Sequence, residues 1–169
     1  MSQMELPASQ CRHLLSLADA ALKDLEDSHR ALEPSPGVKT AGWLVGHLSV
    51  TGDFARKLCG RPPICPVEWR AIFSPGTHPS HDPGVYPPMA ALRDALRTVY
   101  ADLAESAPSV EAGLDAPNPY VPARGGFPTA GSFLAYLMTG HFAYHLGQLV
   151  AWRGAAGVGR GGGSDTIAA

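Results

Sequence analysis

Two histidines, His141 and His145, stand one helical turn apart in a segment that carries no Asp, Glu, Lys or Arg between Arg124 and Arg153. On a helix that spacing separates two side chains by about 40° around the axis, so both imidazoles can reach one point. Neutral imidazole is a common ligand for zinc, nickel, copper and iron. Both histidines share an apolar stripe with Leu134, Leu137, Met138, Leu149 and Trp152, where an unpaired imidazole would lose its hydration without return. His47 holds the corresponding inward place on an earlier helix, between Leu44 and Thr51. Facing helices of a bundle are the usual supports of such sites, and three neutral ligands leave coordination positions open, as at catalytic ions. Gln148, one turn beyond His145, is placed to hydrogen-bond a ligand or a bound water. The alternative is packing, with the histidines satisfied by backbone carbonyls or by Tyr136 or Tyr144.

Other chemistries fit less well. A di-iron carboxylate centre needs inward glutamates and Glu-x-x-His pairs, and the histidine-bearing helix has no acidic residue. No Cys-x-x-Cys-His run offers a haem attachment. Cys59 and Cys65 have no visible activator. His78 and His81, with Asp82, are secondary candidates for lining a pocket, because long loops carry function. Trp43, Trp69 and Trp152 read as packing residues.

Four helices must position these residues. The first is expected from Pro7 to Leu32, on Cys11, Leu14, Leu15, Ala18, Leu22, Leu25 and Leu32. Thr40 caps a second, closed by Gly60-Arg61-Pro62-Pro63, and a third runs from Pro88 to Ser106 on Leu92, Leu96, Val99 and Leu103. The fourth starts near Thr129 and ends at Gly154-Ala155-Ala156-Gly157. Between them lie two long irregular connections, Arg61 to Pro88 and Ala107 to Pro128. The first, with Trp69, Phe73 and Tyr86 as expected walls, is read as the border of a pocket over the histidines. These elements make an all-α four-helix bundle with long connecting loops. A single domain is expected over residues 1–157, followed by a Gly-rich C-terminal tail at 158–169.

Composition narrows the setting. Of the 169 residues 45% are hydrophobic and 17% charged, which suits one globular domain. A net charge of −2 without a basic run argues against nucleic acid and anionic membrane surfaces as partners. Three cysteines without Cys-x-x-Cys spacing read as reduced thiols, and no signal peptide is visible, so a cytoplasmic location is expected. Residues Ala130 to Trp152 are long enough to span a bilayer. Their glycines, histidines and Gln148 instead indicate a helix buried on most sides within a bundle.

The run Gly42-Trp43-Leu44-Val45-Gly46-His47-Leu48, with the later His141-Phe142-Ala143-Tyr144-His145-Leu146-Gly147-Gln148-Leu149, resembles the DinB-like (YfiT-like) metalloprotein superfamily. Trp69, Phe73, Gly76, Pro79, Asp82 and Tyr86-Pro87 resemble an uncharacterised branch of it. The resemblance implies an up-down-down-up bundle whose His47, His141 and His145 bind a divalent metal, often zinc or nickel. It also implies a metal-dependent transferase of a low-molecular-weight thiol, or a hydrolase, acting on a small molecule, with a homodimer as the expected assembly. A non-catalytic metal-binding or small-ligand-binding protein is the competing expectation. Phe142 stands where relatives often place Glu, which removes any local acid–base role at that position. Because protons compete for imidazole, metal affinity is expected to fall as pH drops through about 6.5.

Overall fold

A computed structural model describes residues 2–110 and 112–159. Its helices are α1 (Glu5–Leu22), α2 (Ala41–Leu58), the short α3 (Trp69–Phe73), α4 (Met89–Ser106), α5 (Ala130–Met138) and α6 (Gly140–Ala155). No strand occurs among the described residues, where Pro117 and Thr129 form an isolated bridge. The fold is all-helical and bundle-like. Helix α2 packs against α3, α4, α5 and α6, while α1 packs against α4, α5 and α6. Their apolar stripes meet in a core that includes Trp43, Leu44, Leu92, Leu96, Phe142 and Trp152. Residues 160–169 of the expected tail lie outside the described residues.

Helices α2 and α4 start and end close to their expected limits. Thr40 accepts a hydrogen bond from the Trp43 amide at 3.4 Å, and its own hydroxyl lies 3.0 Å from that of Tyr86. Helix α1 corrects the expectation, because it stops at Leu22 and not at Leu32. Its last carbonyls are taken by arginines from distant helices. Arg153 Nη1 donates to Ala21 at 2.8 Å, and Arg93 Nη1 donates to Leu22 at 3.2 Å. The chain then turns, keeps Leu25 buried, and makes a 3-10 turn over Asp27–His29.

The fourth expected helix is two helices. Thr139 interrupts it with φ −125° and ψ −83°, and its hydroxyl donates to the Ala135 carbonyl at 2.7 Å. Such bonds to the preceding turn compete with the helical ladder and bend it. No described helix is long and apolar enough to cross a membrane. Helix α6 is also less enclosed than expected, since Ala143, Tyr144, Gly147, Val150 and Ala151 remain exposed.

A buried ionic network fixes the connection that leaves α2. Asp53 accepts from Arg56 Nη1 at 2.9 Å and from the amides of Ile64 at 2.9 Å and Cys65 at 3.2 Å. Arg56 in turn donates through Nε to Asp102 of α4 at 2.7 Å and through Nη1 to the Pro62 carbonyl at 2.6 Å. Every charge in this group meets an opposite charge or a backbone dipole, as burial of ions requires.

Candidate metal centre

Helix α2 contributes His47, and α6 contributes His141 and His145. Each offers a ring nitrogen, and these three atoms lie within 4.8 Å of one another. Nε2 of His47 and Nε2 of His141 are 3.3 Å apart. Two nitrogens bound to one tetrahedral ion at about 2.0–2.1 Å are about 3.3–3.4 Å from each other. His47 and His145 are only 4% and 7% exposed.

Hydrogen bonds set the orientation of two of the rings. His47 Nδ1 donates to the Phe73 carbonyl at 2.7 Å, which leaves the lone pair on Nε2. His145 Nδ1 lies 2.8 Å from Oε1 of Gln148, an acceptor, so its Nε2 is also free to ligate. His141 differs, for its buried Nδ1 has no partner. Since His47 Nε2 carries no hydrogen, the approach of His141 Nε2 needs a proton or a cation between the two atoms. The donor set therefore fits a divalent ion: three imidazoles with lone pairs, two of them held from behind by acceptors.

Protonation favours the same role. Burial pushes the pKa of His47 down to about 4, helped by His145 and Lys39 and opposed by the bond to Phe73. Burial, with the neighbouring histidines, pushes His141 down to about 3. His145 is lowered as well, chiefly by burial, against the bond to Gln148. All three are neutral near pH 7, as metal ligands must be.

The motif around His47 has a steric basis. Trp43, one turn earlier, stacks on the His47 ring at 4.5 Å with planes 9° apart. Lys39 Nζ sits 3.6 Å above the Trp43 ring, and the indole N–H donates to Thr77 at 3.0 Å. Gly46 is required by Phe73, because a Cβ there would fall 2.3 Å from the phenyl ring. Removing that side chain lets Phe73 come close enough to give His47 its carbonyl. Phe142 is buried and stacks on Tyr100 at 4.0 Å, so it supplies packing and no proton chemistry.

A cavity of about 990 Å³ opens onto His47 and His141. Its rim includes Arg61, Pro63, Cys65, Arg70, Ser74 and Pro75, as expected of the Arg61–Pro88 connection. Its expected aromatic walls are corrected. Trp69, Phe73 and Tyr86 do not line it; they are buried core residues under the connection. The walls come instead from Phe54 of α2, Tyr120 and Phe127 of the second connection, and Phe133 and Tyr136 of α5. Buried Asn118 shapes that second connection, donating to the Phe127 carbonyl and accepting from the Tyr120 amide, each at 2.9 Å. An Asn-Pro pair amid aromatic residues was its only trace in the sequence.

The secondary candidates stay apart from the site. His78 is exposed and His81 lies 3.5 Å from Glu33; neither lines the cavity. Burial raises the thiol pKa of Cys59 to about 11 and of Cys65 to about 12, so both remain protonated and unreactive. Trp43, Trp69 and Trp152 are all buried, as packing residues should be.

Fold and site together define a helical bundle with a group of three histidines that could hold a metal ion. The family model described as the DinB superfamily matches residues 10–149, and the chain belongs to that superfamily. A solved structure, that of a conserved protein from Enterococcus faecalis, is similar at a TM-score of 0.67 and 18% identity. The match covers 94% of this chain and 99% of that one, and it is a likeness of fold. No curated protein matches the chain.

Proposed function

We propose that the protein binds one divalent ion, zinc or nickel, through His47, His141 and His145. It uses that ion as a metal-dependent enzyme of the thiol S-transferase or hydrolase type, acting on a small molecule. The reading is carried by one observation: two imidazole Nε2 atoms 3.3 Å apart face a roomy cavity. A divalent ion held there supplies Lewis acidity, which lowers the pKa of a thiol or water beside it. The chain does the rest. Phe73 and Gln148 fix the tautomers of His47 and His145 by accepting their Nδ1 protons. The stacked Trp43 holds the His47 ring in plane, and the aromatic walls give the reacting groups apolar surroundings. In this reading a low-molecular-weight thiol is the cosubstrate and the protein works in the cytoplasm, without nucleic-acid or membrane partners.

A second reading, a non-catalytic metal-binding or small-ligand-binding protein, is favoured by a different observation. The cavity lining holds one carboxylate, Asp53, and Arg56, Ile64 and Cys65 occupy its oxygens. Among the described residues of the lining, no unpaired carboxylate is left to serve the histidines as a general base. Elemental analysis of freshly purified protein, with a panel of cellular thiols against a generic electrophile, separates the readings. About one ion per chain is expected, lost in His141→Ala and His145→Ala and severely weakened in His47→Ala. Full metal retention in all three variants overturns the site. Metal without metal-dependent turnover selects the second reading.

A further inference from the structure

The lining of the cavity is unevenly charged. It includes three cationic side chains, Lys57, Arg61 and Arg70, against the single carboxylate of Asp53. Arg61 is already engaged, with Nη2 2.7 Å from Asp102. Asp53 is saturated by the contacts described above. Lys57 and Arg70 make no ion pair with any carboxylate among the described residues. Both are exposed and stand at the wall of an otherwise largely apolar chamber. A cleft with one sign of charge and low-dielectric walls concentrates the oppositely charged ligand.

Four aromatic rings form another part of the lining. Tyr120 stacks on Phe133 at 5.7 Å with planes 11° apart, and Phe127 stacks on Tyr136 at 4.1 Å with planes 20° apart. Phe133 and Tyr136 are themselves within 23° of parallel, so the two pairs continue one another. Aromatic lining of this kind favours an apolar, aromatic partner over a hydrated polar one.

We propose that the cavity takes an anionic small molecule with a flat apolar body. Lys57 and Arg70 hold its oxyanion head, and the ring pairs of Tyr120–Phe133 and Phe127–Tyr136 hold its body. The assignment rests on the metal-centre reading only in calling the ligand the acceptor molecule. Charge and aromatic surface alone define the remainder. Polar low-molecular-weight thiols do not match the aromatic lining, so the site described is that of the acceptor molecule.

The test compares naphthoate, naphthyl phosphate and the neutral naphthalenemethanol by calorimetry, on the protein as purified and after chelator treatment. The chelated arm removes any bond between a carboxylate and a metal ion. At least one anion should bind about tenfold more tightly than the alcohol in both arms, from two cation–anion contacts. In the double variant Lys57→Gln/Arg70→Gln the advantage should vanish, while Arg97→Gln, on an exposed pair with Asp19, should keep it. Acetate, a head without a body, should bind far more weakly than naphthoate. Equal affinity for alcohol and anions, or an anion preference that survives the double variant after chelation, overturns the proposal. Absence of metal in the purified protein would overturn the metal-centre reading and leave this comparison fully readable in either arm.

Discussion

Phe73 gives its backbone carbonyl to His47 Nδ1 at 2.7 Å, although the two residues belong to different helices and lie far apart in sequence. The same residue packs its ring over Gly46, the immediate neighbour of His47. One residue of the first long connection therefore fixes both the height of α3 above α2 and the tautomer of a ligand. A connection that is irregular in sequence acts here as the outer support of the site.

Replacing Gly46 by Ala should break that support. The new Cβ would lie 2.3 Å from the Phe73 ring, well inside van der Waals contact, so α3 must lift. Overpacking of this kind costs about 1–3 kcal/mol of stability. Loss of an outer hydrogen bond to a ligand costs about 10–100-fold in metal affinity. Thermal unfolding and a zinc competition titration should show both losses together. Unchanged affinity in a destabilised variant would detach Phe73 from the site.

Acidification should act later than the ordinary histidine pKa suggests. With His47 at about 4 and His141 at about 3, protons compete with metal at these two positions only well below about pH 6.5. Zinc affinity should therefore stay nearly flat from about pH 8 to about pH 6 and fall at lower pH, in place of a decline centred on about 6.5. Stability of the metal-free protein follows the opposite side of the same linkage. The unfolded chain binds more protons between about 6.5 and the lowered folded values, so stability is full above about 6.5 and lost as pH falls toward about 4. Chemical denaturation across this range checks the sign. A metal-free protein that gained stability on acidification would mean that the histidines are charged in the fold.

Helical periodicity made His47, His141 and His145 legible in the sequence, because inward placement repeats every turn and needs no knowledge of partners. The same local signal located α2 and α4, whose caps and closing prolines lie within a few residues of their ends. It failed where the deciding partner is remote. Helix α1 ends at Leu22 because Arg93 and Arg153 satisfy its carbonyls, and neither lies near it in sequence. The stripe continuing to Leu25 and Leu32 concealed that end. The break at Thr139 depends on a single side-chain bond that leaves the apolar pattern on both sides intact. Trp69, Phe73 and Tyr86 were expected as walls of the pocket, but which face of the connection they cover is a tertiary matter. The cavity took its aromatic wall from the second connection and α5 instead.

Arg153 should prove a large contributor to stability despite its place near the end of the described chain. Its guanidinium is buried, and it donates to Asp24 at 2.6 Å, to Ala21 at 2.8 Å and to Gly159 at 2.9 Å. The contact holds the Asp24 carboxyl below its usual range, with the hydrogen bond from Arg153 as the main cause. Asp24 itself is solvated, so the pair alone is worth little. The carbonyls left without donors matter more. Arg153→Met should cost about 2–4 kcal/mol in denaturant unfolding, from these unmet acceptors and the lost packing. A change under about 0.5 kcal/mol, the range of ordinary surface substitutions, would show that water replaces the guanidinium without loss.

Gln148 offers the sharpest test of how the site is tuned. Its side-chain oxygen accepts the Nδ1 proton of His145 at 2.8 Å, fixing the tautomer that presents Nε2 to the other two histidines. It has no competing role in the cavity, whose lining does not include it. Gln148→Ala should therefore lower zinc affinity about 10–100-fold with little change in fold. Gln148→Glu should restore it and go further, because a carboxylate is a stronger acceptor and makes the imidazole a better electron donor. The carboxylate also raises the pKa of His145, so the gain should shrink as the pH is lowered and protons occupy Nε2. Competition titrations on the three proteins at two pH values separate these effects. Equal affinities in Ala, Gln and Glu variants would mean that the Nδ1 contact does not orient the ring, and that His145 is held in place by its packing between Trp43 and Tyr144 alone.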